Sequence, residues 1–274
     1  MKISVIIPTL GRVDEVVSAV LSVDRQAYKK VEMIIIDQNS HSELCEKINC
    51  LDCETDIHHF KVPFRGASKA RNFGVSKASG ELVFFMDDDA ELFKETLICA
   101  LRTLNKENSD VVFGRCVDRA GDKSVLDFRE YPGALTINNH ENMFVESTML
   151  AKTDVMLNYP FDETLGVGNF HGAEEAYDVV IRMLKRGVSL FYDPSISVFH
   201  PQIDLTYQDK GIRRVFTYRC GFARICQKHS LHRKYYSRCI KVALYIPYCF
   251  FFKRNRFRYY IAEMLGLVAG RIIP

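Results

Sequence analysis

Residues 66–92 read GASKARNFGVSKASGELVFFMDDDAEL, and the architecture follows from how this segment divides. Ala67–Ala78 is rich in small residues and good helix formers, and Gly80 stops it. Glu81–Met86 (ELVFFM) then reads as a continuous apolar strand, as expected where both faces are covered. Three carboxylates, Asp87, Asp88 and Asp89, stand at its end.

Toward the N-terminus the same alternation repeats. Ile3–Ile7 and Glu32–Asp37 (EMIIID) read as buried strands, and Ile57–Val62 as a third. Val13–Ala27 is predicted helical, with Val16, Val17, Val20 and Leu21 at helical spacing and Asp14 and Glu15 in the first turn. Ser42–Ile48 is a short helix. In the other direction come a helix over Leu92–Leu104 and a strand over Asp110–Gly114. The stretch 115–145 is irregular and reads as an insertion. Glu174–Lys185 is a helix closed by Gly187, followed by strands over Val188–Tyr192 and Ile196–Phe199. The β-α-β-α order implies an α/β fold, a mostly parallel central sheet flanked by helices with right-handed crossovers. Ligands bind such sheets outside the carboxyl ends of the strands, where Asp37 and Asp87–Asp89 lie.

The 274 residues are 47% apolar and 26% charged. That composition excludes wholesale disorder, a collagen-like chain and a polytopic membrane protein. Net charge is +3, but it is divided unevenly: residues 1–204 hold 22 Lys and Arg against 32 Asp and Glu, and residues 205–274 hold 15 against 2. The expected division is a domain over 1–204, in two halves to about 115 and over 116–204, followed by a basic, aromatic, helical tail over 205–274. The N-terminus, MKISVIIPTLGR, carries no signal-peptide h-region. The longest apolar run, Val242–Phe252, has 11 residues where a spanning helix needs about 20. A cytoplasmic location is expected, with the nine cysteines reduced. Cys45, Cys50 and Cys53 are spaced C-x4-C-x2-C near His58 and His59, but no fourth ligand stands at firm spacing, so buried or incidental thiols are expected there.

Carboxylates crowded at a buried strand end repel one another unless a cation or solvent compensates. A hard divalent ion, Mn2+ or Mg2+, suits oxygen ligands of this kind beside phosphates. On an extended segment Asp87 and Asp89 face one way and Asp88 the other. The alternative is a solvated acidic turn. Pro8–Arg12 (PTLGR) and Asp37–Ser40 (DQNS) follow the first two strands at the same edge. There Thr9 and Asp37 can hydrogen-bond a base or ribose, and Arg12 can fix a charged or planar group. Each alone also fits a plain turn or helix cap. Arg65, Lys69 and Arg71 flank a helix N-terminus, which suits a diphosphate, or else form an exposed basic face. Glu174 and Glu175 open a helix behind a loop bearing Gly166 and Gly168, a place for a general base or for ordinary dipole-favoured acids. His200 follows the last strand, as a third metal ligand or a structural imidazole.

With these residues in view the chain resembles a family-2 glycosyltransferase of the GT-A fold. The matching segments appear in order: ISVIIPTLGR, EMIIIDQNS, GASKARNFGVSKASGELVFFMDDDAEL, FDETLGVG, GAEEAYDVVIRMLKRG and SISVFHP. The resemblance implies a Rossmann-like GT-A domain whose Pro8, Thr9, Arg12 and Asp37 line the nucleotide pocket. Lys69 and Arg71 would lie near ribose and diphosphate, with Asp88 also on the donor. Asp87 and Asp89 would be the D-x-D metal pair, joined by His200. Glu175 would be the catalytic base and Glu174 the acid that places the acceptor. Two departures stand out: Glu-Glu replaces the family's commoner Glu-Asp, and D-Q-N-S replaces D-D-G-S. The implied activity is inverting, metal-dependent transfer of a sugar from a nucleotide sugar, a UDP-sugar by the family's habit, to a hydroxyl of a glycan or lipid-linked acceptor in cell-surface polysaccharide assembly. The alternatives are a nucleotidyltransferase, for which PTLGR is a poor phosphate loop, and a nucleotide-sugar-binding relative without turnover.

Residues 212–258 interleave Arg and Lys with Tyr, Phe, Ile and Leu. Long basic stems and aromatic rings suit a membrane interface, and the expected partner is the cytoplasmic membrane face rather than nucleic acid. The alternative is a helical subdomain with a solvated basic face.

Overall fold

The structure, a computed structural model, describes residues 1–202 and 206–273. The domain boundary expected between 204 and 205 lies outside the described residues. By internal packing the chain forms two units: Met1–Arg65, Lys69–Pro160 and Val179–Ile203 make the first, and Gly66–Ser68, Phe161–Asp178 and Asp204–Pro274 the second.

In the first unit, β1 (Ile3–Thr9) and β2 (Val31–Asp37) are buried along their whole length, as their unbroken apolar runs require. With β3 (Asp56–Lys61) and β4 (Leu82–Phe85) they form a parallel array in the order β3-β2-β1-β4. The crossovers are α1 (Asp14–Asp24), α2 (Glu43–Asn49) and α3 (Ala67–Lys77). Pro8 interrupts no ladder bond to β4, because β4 ends at Phe85 opposite Ile6 and Pro8 lies beyond it. One core layer joins Val16, Val20 and Val23 of α1, Leu44 and Ile48 of α2, and the inward residues of the strands.

Beyond β4 the sheet becomes mixed. Among the described residues it has nine strands, continuing β4-β8-β6-β9-β5 with β7 on β9. These are β5 (Glu91–Leu92), β6 (Val111–Val117), β7 (Gly133–Ala134), β8 (Leu150–Lys152) and β9 (Leu190–Phe199), with α4 (Thr96–Lys106) following β5. The expected parallel arrangement therefore holds across β3-β2-β1-β4, whereas β8 runs antiparallel to both β4 and β6. β9 is one strand where two were expected. Its register against β6 shifts between Phe113 and Arg115, an irregularity that absorbs Pro194 without ending the strand. The predicted helix at Leu92 begins at Thr96 instead, because Glu91 and Leu92 pair with Phe199 and Val198. A 3-10 turn over Glu146–Thr148 and α5 (Thr153–Asn158) flank β8.

The second unit contains α7 (Asp209–Lys228), α8 (His232–Phe252) and α9 (Arg254–Ile272). Its core gathers Ala223, Cys226, Tyr235, Val242 and Leu267. α9 approaches α7 backbone to backbone: a Cβ at Gly270 would fall 2.2 Å from the Cys220 carbonyl oxygen, and one at Gly266 would fall 2.4 Å from that of Phe216. Glu263 of α9, wholly buried, accepts from Arg219 Nε at 2.7 Å and Arg238 Nε at 2.7 Å, which compensates its charge. No helix among the described residues is long and apolar enough to cross a membrane.

Candidate functional site

The carboxyl rim of the parallel strands carries the acid cluster. Thr9, the last residue of β1, donates from Oγ1 to Asp88 Oδ2 at 2.8 Å. Arg12 reaches both Asp88 and, from Nη2 at 2.7 Å, Asp89 Oδ2. Asp88 is buried, and burial pushes its carboxyl up against the pull of Arg12 and Thr9. Arg71, buried on α3, donates to Asp87 Oδ1 at 2.9 Å and to Glu146 Oε1 at 3.4 Å. His200 Nε2 stands 3.5 Å from Asp89 Oδ1 and 3.9 Å from Asp87 Oδ2. Asp87 and Asp89 thus both face the imidazole, and Asp88 is taken up by Thr9 and Arg12.

Two arginines supply part of the compensation that the sequence argument assigned to a metal. Asp87, Asp88, Asp89 and Glu146 all meet the guanidinium groups of Arg12 and Arg71. The donor set of Asp87, Asp89 and His200 is of the type that suits a divalent cation completing its shell with phosphate oxygens and water, although the three side chains are not gathered into a metal-holding group in this structure. No three His, Cys, Asp or Glu side chains among the described residues form a metal-holding group by themselves. The cysteine motif accordingly gathers no such group. His58 lies 3.6 Å from Glu32 and His59 3.0 Å from Asp37, so each imidazole is taken by a carboxylate instead.

At the end of β2, Asp37 is fully buried. Its Oδ1 accepts from the Asn39 backbone N–H at 2.8 Å, and Oδ2 pairs with His59. The Asn39 Oδ1 accepts from the Gly11 N–H at 2.5 Å, tying the PTLGR turn to the DQNS turn. Gln38 Oε1 and Asn39 Nδ2 are buried without a partner among the described residues, one acceptor and one donor at the rim. Lys69 lies apart from the acids in its contacts, its ammonium 4.8 Å from the Phe64 ring centroid. Sequence reasoning missed His59 and Glu146. His59 comes to Asp37 through strand register, as the β3 position opposite Ile35, two residues short of Asp37 along β2. Glu146 carries no local signal.

The second unit holds the paired glutamates. Glu174 adopts φ +76°, a conformation rare outside glycine, immediately before α6 (Glu175–Lys185). Its carboxyl end is enclosed although the residue as a whole is half-buried. Burial pushes that carboxyl up, Lys234 and Arg219 pull it down, and Glu175 adds to the rise. Glu174, Tyr177, Arg219, Phe222, Cys226 and Lys234 line a pocket of about 210 Å³. Glu175 is buried, and its carboxylate packs over Gly166: a Cβ there would fall 2.8 Å from Glu175 Oε1 and 2.9 Å from Ser68 Oγ, and Gly166 itself has φ +96°. The loop is tied down. The Gly166 N–H donates to the His171 carbonyl at 2.8 Å and the Gly172 N–H to the Thr217 carbonyl at 2.9 Å. One turn into α6, buried Asp178 receives Lys228 Nζ at 2.8 Å and His229 Nε2 at 2.9 Å.

Comparison with known structures identifies the class. The mannosyltransferase PcManGT from Pyrobaculum calidifontis, in complex with GDP-Man and Mn2+, superposes with a TM-score of 0.63 at 18% identity, over 97% of this chain and 87% of that one. TarS 1–349 of S. aureus in complex with UDP-GlcNAc gives 0.58 at 20% identity, over 79% and 65%. The shared architecture is the GT-A fold. Residues 4–153, more than half of the chain, match the family described as Glycosyl transferase family 2, and the chain belongs to that family. Among curated relatives, the GalNAc(5)-diNAcBac-PP-undecaprenol beta-1,3-glucosyltransferase of Campylobacter jejuni is 34% identical over 127 residues, 45% of this chain and 41% of the relative. A Rickettsia bellii protein named an uncharacterized glycosyltransferase is 31% identical over 107 residues, 39% of this chain and 16% of the relative. The chain matches less than half the length of these curated relatives.

Proposed function

We propose that the chain is an inverting glycosyltransferase that moves a sugar from a nucleotide sugar to a hydroxyl of a lipid-linked or glycan acceptor in cell-surface polysaccharide assembly. The observation that carries the reading is the cluster of Asp87, Asp88, Asp89 and His200 at the rim of the parallel strands, in a chain of this family. Asp87, Asp89 and His200 would hold Mn2+ or Mg2+. When bound, the ion neutralises charge developing on the departing nucleoside diphosphate. Thr9, Asp37 and the neighbouring turns bind the nucleoside, and Arg71 and Lys69 lie toward the diphosphate. Arg12 holds Asp88 and Asp89 in place.

Glu175 takes the proton of the acceptor hydroxyl as its oxygen bonds to the anomeric carbon and the diphosphate leaves from the opposite face. Glu174 positions the acceptor. General-base assistance of this kind is worth ~10²–10⁴-fold. The donor is proposed to be a UDP-sugar, and a GDP-sugar is the second candidate because a fold neighbour binds GDP-Man. The basic helical segment brings the enzyme to the cytoplasmic membrane face, in keeping with an acceptor on undecaprenol in a relative.

The test begins with a thermal-shift screen of nucleotide sugars with Mn2+, in which the true donor raises the Tm by mass action. Glu175→Gln then abolishes transfer while donor affinity by calorimetry stays unchanged; retained turnover rules Glu175 out as base and turns attention to Glu174. Asp89→Ala removes the Mn2+-dependent part of donor affinity, and an unchanged difference with and without Mn2+ rejects the D-x-D reading.

A further inference from the structure

The outward face of α8 has no part in the chemistry above. From Ile240 to Phe252 its exposed residues are Ile240, Lys241, Ala243, Leu244, Pro247, Tyr248, Phe250, Phe251 and Phe252, and Lys241 alone is charged. Leu244 is 73% exposed, Phe251 68% and Phe252 72%. These residues recur at three- and four-residue steps, so they form one continuous face opposite Tyr235, Val242 and Cys249, which are buried. Large apolar side chains gathered in one exposed patch mark a surface that meets another apolar phase.

The ends of this face are cationic. Arg233 and Lys234 precede it, and Lys253, Arg254, Arg256 and Arg258 follow it, the last paired with Asp209 at 3.2 Å. From Lys210 to Ala262 there is no acidic residue. A second copy seated on this face would set like charges against one another. A sheet of anionic headgroups over acyl chains would meet both the rings and the flanking cations.

We propose that residues 240–252 of α8 lie in the plane of an anionic lipid bilayer, with Leu244, Tyr248, Phe251 and Phe252 sunk to the acyl boundary and the Arg and Lys residues at both ends among the headgroups. This deepens the proposed lipid-linked acceptor and rests on that reading for its biological sense. It is tested by binding alone, so a failed transfer assay leaves it standing and a failed binding assay leaves the transferase reading standing.

The chain contains no Trp, so Phe251→Trp in the full chain introduces a single, selectively excitable indole at the centre of the face with little change of shape. With vesicles of phosphatidylcholine and phosphatidylglycerol its emission shifts to the blue and is quenched by lipids brominated on the acyl chain. Emission identical to that in buffer overturns the proposal. In flotation, the unmodified chain rises with the anionic vesicles and is released by high salt, and vesicles of phosphatidylcholine alone capture it far less. Leu244→Glu/Phe251→Glu/Phe252→Glu, all at exposed positions, lowers capture about tenfold or more with unchanged Tm. Capture equal to that of the unmodified chain overturns the assignment. So does a dimer of the unmodified chain in sedimentation that the triple variant dissolves, since the face then belongs to a second copy.

Discussion

Glu32 shows how far side-chain contacts outweigh burial in this molecule. It sits in the fully buried β2, and burial alone would raise its carboxyl. Hydrogen bonds and charge from Lys2, together with hydrogen bonds from Ser4 and Ser79, hold it instead at about 2. A folded value below the ordinary glutamate value contributes stability that is complete above pH ~4.5 and lost as the pH falls toward 2. The gap is worth roughly 3 kcal/mol. Glu32→Gln is expected to lose most of that at pH 7 and little at pH 2–3, a convergence that urea denaturation at the two pH values measures. The acid cluster follows the same physics with a different outcome. Asp87, Asp88 and Asp89 were legible because three carboxylates end an apolar run. Their arginine partners were not, since Arg12 and Arg71 lie 76 and 16 residues away and no spacing rule links them. The Asp37–His59 pair was hidden for the same reason: strand register joins them, and register is not written in either segment alone.

Among the elements, β1, β2, β4 and β6 were readable in advance from their buried runs, because burial on both faces forces apolar continuity, and β3 and the two ends of β9 were read as well. The short strands β5, β7 and β8 hold two or three residues each and owe their conformation to neighbours already in place, so propensity does not announce them. The glycines ahead of α6 were read only as part of a loop before the paired glutamates. Their geometry gives a reason for them. Gly166 is required by its φ of +96° and by the carboxylate that lies over it. Gly166→Ala is therefore expected to cost about 1–3 kcal/mol through backbone strain and displacement of Glu175. It should lower kcat more than tenfold while donor affinity stays unchanged; kinetics beside calorimetry decide it. Equal loss in both would mean a general loss of folding.

At the scale of the whole chain, the uneven charge of the sequence corresponds to different structural problems. In the first unit the acids crowd a sheet rim and need cations. In the second the cations are many, and two of them, Arg219 and Arg238, close on buried Glu263. Buried Asp178 depends likewise on Lys228 and His229, some fifty residues further on. Lys228→Ala/His229→Ala removes two cationic partners of that buried carboxylate, an expected cost of roughly 3–5 kcal/mol in guanidinium denaturation. Asp178→Asn on that background should restore much of it, because the amide needs no counter-charge. The basic excess was legible from composition. That part of it serves as internal brace was not, because composition counts charges without saying which ones meet.

That brace has a consequence for how the enzyme comes into being. The ribosome makes Glu174 and Glu175 well before it makes Thr217, Lys228 and His229, whose backbone and side chains fasten the loop and first turn around the glutamates. A nascent chain released only as far as β9 has its nucleotide-side strands complete and its acid pair untethered. On the proposed role of Glu175 as base, catalytic competence waits until α7 has emerged.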